Sequence, residues 1–474
     1  MTPNIKFKKK SVQKKRYIYK AAAAKNDGWM PIGNDSDVNL VLSASSARVR
    51  QRVRQLVRDN PYFKRAISKI CDFRIGTGIE FVAKSRTETT LNVELNEILD
   101  EKFKEWSEKS DNTGKVHFFD LQRLALTQEC ECGEYLFLKR INQKRKPYPF
   151  FLQPIEPDQL SSINSRPKKG NQITNGIETD NDGQVIAYHI EDISTYKTTR
   201  VPAEYVIHGF ETLRAGQLTG ISPFVSGVLA ATNLGEYIGA EMDAAKKAAK
   251  ILAIVQSNDP VGFQQARQVV GSDEDDDKID HLENAIIEYL RPNESINFAD
   301  SNRPGDAFTP FTKFMLRMLC IACDVPYELI SGDYSGLSYS NLRGVRNDFR
   351  MSIDAQTTRF IRQFPNLIKK WVFQCMYLTG HLKKDYSLVK HSWKRTGQWP
   401  IDRLKDSKAG ISEIEAIVLS PQKFCEERNI DYYEMLDEWS LAKQACEERG
   451  LPFMQKDIDT PLISTPYSLE NSEV

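Results

Sequence analysis

No apolar run in the chain approaches the ~20 residues needed to cross a bilayer. The basic start, MTPNIKFKKKSVQKKRY, has no apolar stretch of the kind a secretory signal needs. The eight cysteines (Cys71, Cys130, Cys132, Cys320, Cys323, Cys375, Cys425 and Cys446) are scattered and form no disulfide framework. A cytosolic site of synthesis and no membrane partner are therefore expected. A formal net charge of +1 gives no global pull toward nucleic acid, though it leaves room for a surface that DNA slides past.

Catalytic patterns are also missing. A nucleotide-driven motor needs a phosphate-cradling G-x-x-x-x-G-K-[ST] loop, and Thr113-Gly114-Lys115-Val116 lacks both the upstream glycine and the metal-binding hydroxyl. Neither H-E-x-x-H nor G-x-S-x-G occurs. Cys130-x-Cys132 has no second pair at zinc-ribbon spacing, and Cys320-x-x-Cys323 sits in an apolar helical stripe that reads as core. The six histidines do not cluster. Asp275, Asp276 and Asp277 are adjacent, so their carboxylates diverge and suit one divalent ion poorly. The sequence thus predicts no cofactor, no metal and no enzymatic centre.

What is present is order along the chain. Residues 1–20 hold eight Lys or Arg and no acid, which reads as a basic arm. Val49, Val53, Leu56 and Val57 recur at helical spacing, and Asn60-Pro61 predicts a break before a second helix. Arg48, Arg50, Arg52 and Arg54 fall on two helix faces, which predicts solvation or pairing with acids of a neighbouring subunit. Residues 78–210 mix helices at 91–106 and 120–130 with strands at 79–83, 135–141, 150–154, 185–190 and 205–210, an α+β unit.

Ser222-Pro223 is a capped helix start, and an apolar stripe from Phe224 to Val255 predicts a helix to about Gln256, roughly 50 Å long. Its small residues (Ala230, Ala231, Gly235, Gly239, Ala240, Ala244, Ala248) suit close approach by a copy of itself. Residues 258–298 form a compact insertion, with the acidic run SDEDDDKID and a hairpin between IIEYL and SINF. Thr309-Pro310 repeats the cap-plus-proline start, followed by a stripe of Phe311, Phe314, Met315, Met318, Leu319 and Ala322 that stops before Pro326. Residues 332–340, GDYSGLSYS, have loop composition; a helix from about Asn341 should break at Pro365. Residues 393–450 read as short helices and 460–474 as a polar tail.

The pieces LVRDNPY (56–62) with GTGI (76–79), IEPDQL (155–160), GIETD (176–180), VPA (201–203) with VIH (206–208), R-x-GQ-x-x-GISP (214–223), VPYE (325–328), YSNLR (339–343) and WPIDRLKD (399–406) resemble, in order, elements of the lambda-like family of phage portal proteins. The last departs from the family pattern W-x-D-P-x-K-E in having Arg403 where proline is usual and Asp406 for glutamate.

The resemblance implies a portal fold: an α+β wing, long stem helices, a small clip insertion and a mainly helical crown, assembled as a ring, typically dodecameric. On that template residues 1–47 would be a basic arm and linker, 48–220 wing, 221–257 the first stem helix and 258–305 clip. Residues 306–330 would be the second stem helix, 331–342 the tunnel loop, 343–398 a long kinked helix of wing and crown, and 399–474 crown and tail. Tyr334, Ser335, Gly336, Leu337, Ser338 and Tyr339 would face double-stranded DNA through polar contacts that read no sequence and add little friction. Lys246, Lys247 and Lys250 would either present charge to the channel or pair with acids of the next subunit. Asp275, Asp276, Asp277, Glu288 and Arg291 would lie where the clip docks the terminase large subunit and later the head-completion and tail adaptor proteins. Capsid and scaffold proteins would be further partners, and the virion's portal vertex the final location. Two other readings stay open on sequence: a phage head or tail protein that conducts no DNA, and a DNA-processing enzyme using the acidic run.

Overall fold

The computed structural model describes residues 37–87, 90–162, 165, 170–250, 253–257, 294–298, 305–395, 403–428, 430 and 432–451. It opens on two helices, α1 (Val38–Asp59) and α2 (Pro61–Arg74). Asp37 caps the first, accepting the Asn39 N–H at 2.9 Å, so the helix begins ten residues ahead of the expected boundary at 48. Asn60 makes the break: its side-chain oxygen accepts the N–H groups of Tyr62 and Phe63 at 3.0 and 3.1 Å, and Pro61 takes the first helical position.

The mixed region follows: β1 (Glu80–Ala83), a short β2 (Arg86–Thr87) and β3 (Thr90–Leu91), α3 (Val93–Ser107), α4 (Phe118–Cys132), β4 (Glu134–Ile141) and β5 (Phe150–Ile155). After these come β6 (Gln172–Thr174), β7 (Ile177–Thr179), β8 (Val185–Glu191), β9 (Thr198–Pro202) and β10 (Val206–Phe210). β4 lies between β10 and β5, antiparallel to both. Because side chains alternate along a strand, Tyr135 and Phe137 enter a large helical core, while Leu136 and Leu138 pack with Ile177, Tyr188 and Ile190 of the second sheet, β6-β7-β8-β9. Both faces of β4 are thus covered. The region is α+β, as the strand and helix alternation predicts.

The long helix is shorter than its stripe suggests. After one 3-10 turn capped by Ser222, α5 runs Gly227–Lys250, about 36 Å at 1.5 Å per residue. Ala253–Ser257 is instead a strand, β11, antiparallel to β12 (Glu294–Phe298). The branched pair Ile254-Val255 favours extended backbone, and the pairing supplies hydrogen bonds a helix end lacks. SINF is extended as expected; its partner is β11, and IIEYL lies outside the described residues.

The rest is α6 (Phe308–Ala322), α7 (Tyr327–Ser331), α8 (Tyr339–Gln363), α9 (Pro365–Leu378), β13 (His391–Lys394), α10 (Arg403–Glu415), α11 (Pro421–Glu426) and α12 (Tyr432–Glu448). α6 starts at Phe308 after Ala307, with Thr309 and Pro310 inside its first turn, where a missing N–H costs nothing. Pro365 does end one helix and begin another. β13 pairs with β1 (Phe81 opposite Trp393), stitching the late chain to the early one. Phe63, Phe103, Phe118, Phe360, Phe364 and Phe373 share the large core with α2, α3, α4, α8 and α9.

Candidate oligomerisation face and loop

α5 and α6 lie antiparallel. Ser226, just ahead of α5, donates to the Ala322 carbonyl at 3.2 Å, while Tyr237, further along, stacks on Phe308 and meets Phe311 edge-on at the start of α6. Val228, Ala231 and Leu234 face Leu316, Leu319, Cys320 and Cys323 in the core. Burial pushes both of these thiols up to about 12, so they remain protonated core residues.

Among the described residues the other side of α6 is largely exposed, with Tyr237 reaching only its Phe311 edge. Phe311, Phe314, Met318 and Ile321, spaced three, four and three residues apart, share one face and are 43, 58, 49 and 77% exposed. The stripe read from sequence mixed the two sides: Leu319 is core, whereas Phe311, Phe314 and Met318 look outward. On α5, Leu229 is 67% exposed, and a Cβ built at Gly235 or Gly239 meets no atom within 4 Å. Gly235 and Gly239 therefore stand open to a close neighbour, whereas Ala231 is buried in the chain's own core.

The loop follows α6 and the short α7. Gly332, at φ 73, ends α7 in the left-handed conformation glycine tolerates. Arg65 of α2 donates to the Leu329 carbonyl at 2.8 Å and anchors this turn. The Asp333 carboxylate then organises the tip: it accepts the Ser335 hydroxyl, the Ser335 N–H at 3.1 Å, and the Lys313 ammonium at 3.3 Å. These contacts, the Ser335 hydroxyl first, hold its pKa at about 2. Tyr334, Ser335 and Gly336 are exposed, and Leu337 is half-buried. Ser338 is the cap of α8, accepting the Asn341 N–H at 3.2 Å, and Tyr339, 41% exposed, is its first residue. The free loop is thus shorter than 331–342, because a serine cap starts the helix early.

The other expected site residues are distributed differently. Lys246 is exposed on the last turns of α5, its ammonium 3.4 Å from Asp243 of the same helix. Lys247 and Lys250 occupy the end of α5. Asp275, Asp276, Asp277, Glu288 and Arg291 lie outside the described residues. Two of the early arginines pair within their own chain. Arg50 meets Asp158 at 3.1 Å and Glu134 at 3.5 Å, and Arg54 meets Asp158 at 2.6 Å and Glu156 at 2.5 Å. Glu134, buried, also accepts His208 at 3.0 Å, which makes that histidine structural. Among the described residues no group of three or more His, Cys, Asp or Glu is placed to hold a metal ion, and no helix is long and apolar enough to cross a membrane. Sequence reading missed Ile321 and Leu229 as outward residues; the signal available was that α6 is apolar on nearly every side.

Comparison with known proteins follows the same line. The family described as phage portal protein, lambda family, matches residues 23–356. A protein named "Probable portal protein" from Halomonas phage phiHAP-1 is 25% identical over 458 residues, covering 90% of this chain and 86% of its own. Portal protein B of Escherichia phage lambda is 21% identical over 322 residues, covering 59% of this chain and 60% of its own. Among solved structures, a chain from the neck of an empty gene transfer agent particle aligns at 15% identity and a TM-score of 0.45, over 82% of this chain and 93% of that one.

Proposed function

This chain belongs to the lambda family of phage portal proteins, a head–tail connector of a bacteriophage, and we propose that it closes into a dodecameric ring whose central channel passes double-stranded DNA into and out of the head. The observation that carries the ring is the uncovered stripe Phe311, Phe314, Met318 and Ile321 beside the open small-residue positions of α5. Contiguous apolar surface on a folded chain marks an interface, and a heterologous contact that closes on itself gives a ring. In this reading α5 and α6 are the stem and β11–β12 leads into the clip. The clip, with Asp275–Asp277, Glu288 and Arg291, docks the terminase and later the head-completion and tail adaptor proteins.

The loop at Asp333–Leu337 faces the channel. Its tip offers hydroxyls and a phenol, groups that touch a phosphate backbone of any sequence without the counterion release that makes basic surfaces bind tightly. Asp333, ionised at neutral pH and tied to Lys313, disfavours lingering DNA contact further. The protein acts as a passive conduit located at the virion's portal vertex after assembly in the host cytoplasm, with capsid and scaffold proteins as its surroundings.

Negative-stain microscopy of the purified protein tests the ring: closed particles with a central hole are expected, and monodisperse monomers under assembly conditions would refute it. Deleting residues 334–337 should leave those rings intact and impair packaging or retention of DNA. Collapse of the ring on that deletion would show that the loop is a structural element instead.

A further inference from the structure

One large cleft in the described chain is unconnected with the stem. It has a volume of about 780 Å³ and lies between α8, β13 and the late helices α10 and α11. Three arginines of α8, Arg343, Arg346 and Arg350, line it at spacings of three and four, which puts them on one helix face. Lys394 of β13 and the following Arg395, and Lys423 of α11 and Arg428 just after it, line it as well.

Its acids are largely engaged. Asp406 holds Arg343 at 3.3 Å, Asp354 holds Arg395 at 2.7 Å, Asp72 holds Arg123 at 3.0 Å and Glu426 holds Lys84. Arg428 lies flat on the Phe424 ring, 3.5 Å from its centroid, and donates to the Phe424 carbonyl. Among the described residues, Arg346 and Arg350 have no hydrogen-bonded or ion-paired partner. They stand one helical turn apart and half-buried. Burial and then the Arg346 charge bring the Arg350 pKa down against the opposing pull of Asp354 and Asp406, so among the described residues two like charges are held together with no carboxylate in ion-pair contact with either.

We propose that this cleft is a binding site for a phosphate group, gripped by Arg346 and Arg350. Two adjacent guanidiniums call for two negative charges on one compact group. A phosphate approaches that charge and offers three or more oxygens to the two forks, whereas a carboxylate brings one charge and two oxygens. The cleft is too small for a duplex, so the source is either free phosphate or polyphosphate, or the backbone of a single nucleic-acid strand. A phosphate there would also bridge α8 to the late helices, fastening them to the core.

Titration calorimetry with inorganic tripolyphosphate, and fluorescence anisotropy with a short single-stranded DNA lacking a terminal phosphate, distinguish the two sources. Binding of tripolyphosphate alone identifies a free-phosphate site; binding of both identifies a backbone site. In either case Arg346→Gln should weaken binding about tenfold or more, and adding Arg350→Gln should abolish it. Thermal melting guards against misfolding: tripolyphosphate should raise the melting temperature of the native protein but not that of Arg346→Gln. Native affinity in the double variant, or failure of the native protein to bind either probe, would overturn the proposal.

Discussion

Ile321 and Leu319 sit two residues apart on α6, one 77% exposed and the other fully buried, and that contrast separates folding from assembly. Replacing Ile321 by Glu removes little intramolecular packing, so the free subunit should lose only about 0.5 kcal/mol. In a ring the cost is different. Complete burial of an isoleucine side chain is worth about 1.5–3 kcal/mol, and three-quarters of that surface is still available, so about 1–2 kcal/mol of burial is forfeited at each subunit contact. Placing a carboxylate in an apolar interface adds at least a comparable penalty. Together these weaken each contact by about a hundredfold or more. Leu319→Ala should do the reverse, costing the fold about 2–5 kcal/mol through the cavity it leaves. Sedimentation velocity would read assembly and urea unfolding would read the subunit. If Ile321→Glu leaves the ring whole, or destabilises the subunit as much as Leu319→Ala does, α6 does not present its outer face to a neighbour.

Two further expectations concern the core. Glu129 bridges the buried Arg74, at 3.0 Å, and the half-buried Arg359, and so ties α4 to α2 and α8. Glu129→Gln leaves the Arg74 guanidinium, 2% exposed, uncompensated and should cost about 3–5 kcal/mol in urea unfolding; a loss under about 1 kcal/mol would contradict the pairing. Lys369 is buried with its ammonium donating to the Ser387 carbonyl at 2.7 Å, and burial, with Lys370 nearby, lowers its pKa from 10.5 to about 8. Between those values the unfolded chain holds a proton that the folded chain has lost, so stability should rise with pH from about 8 to 10.5, by up to about 1.4 kcal/mol per unit. Lys369→Met should remove that rise, and parallel pH profiles for the two proteins would refute it.

Where local chemistry decides structure, the sequence was readable. The α1–α2 break follows from one asparagine cap and one proline, and β4 from a run of aromatic and branched residues. Where distant pairing decides, it was not. His391–Lys394 is too short and too polar to read as a strand, and it is one because Phe81, three hundred residues earlier, supplies the opposite edge. Ala253–Ser257 continued a helical stripe on paper, yet its branched residues could equally be extended, and β12 settled the matter. The arginines of α1 showed the same limit. Spacing put the four arginines on two faces and predicted solvation or acids of another subunit, but the acids that Arg50 and Arg54 meet lie 84 to 108 residues along the same chain.

The site divides along the same physical line. A loop rich in glycine, serine and tyrosine announces itself by composition, and Asp333–Leu337 is a loop. An interface does not, because an apolar stripe means burial without saying by what. α8 and α6 both carry such stripes; Phe349, Ile353 and Phe360 of the first are covered by their own chain, while half of the second is not. A helix that is apolar nearly all round needs cover on more than one side. Among the described residues α5 covers one side of α6 and most of the other stays exposed. That surplus of apolar surface, measurable only once the chain's own packing is known, is the physical content of the proposal that a second subunit docks here.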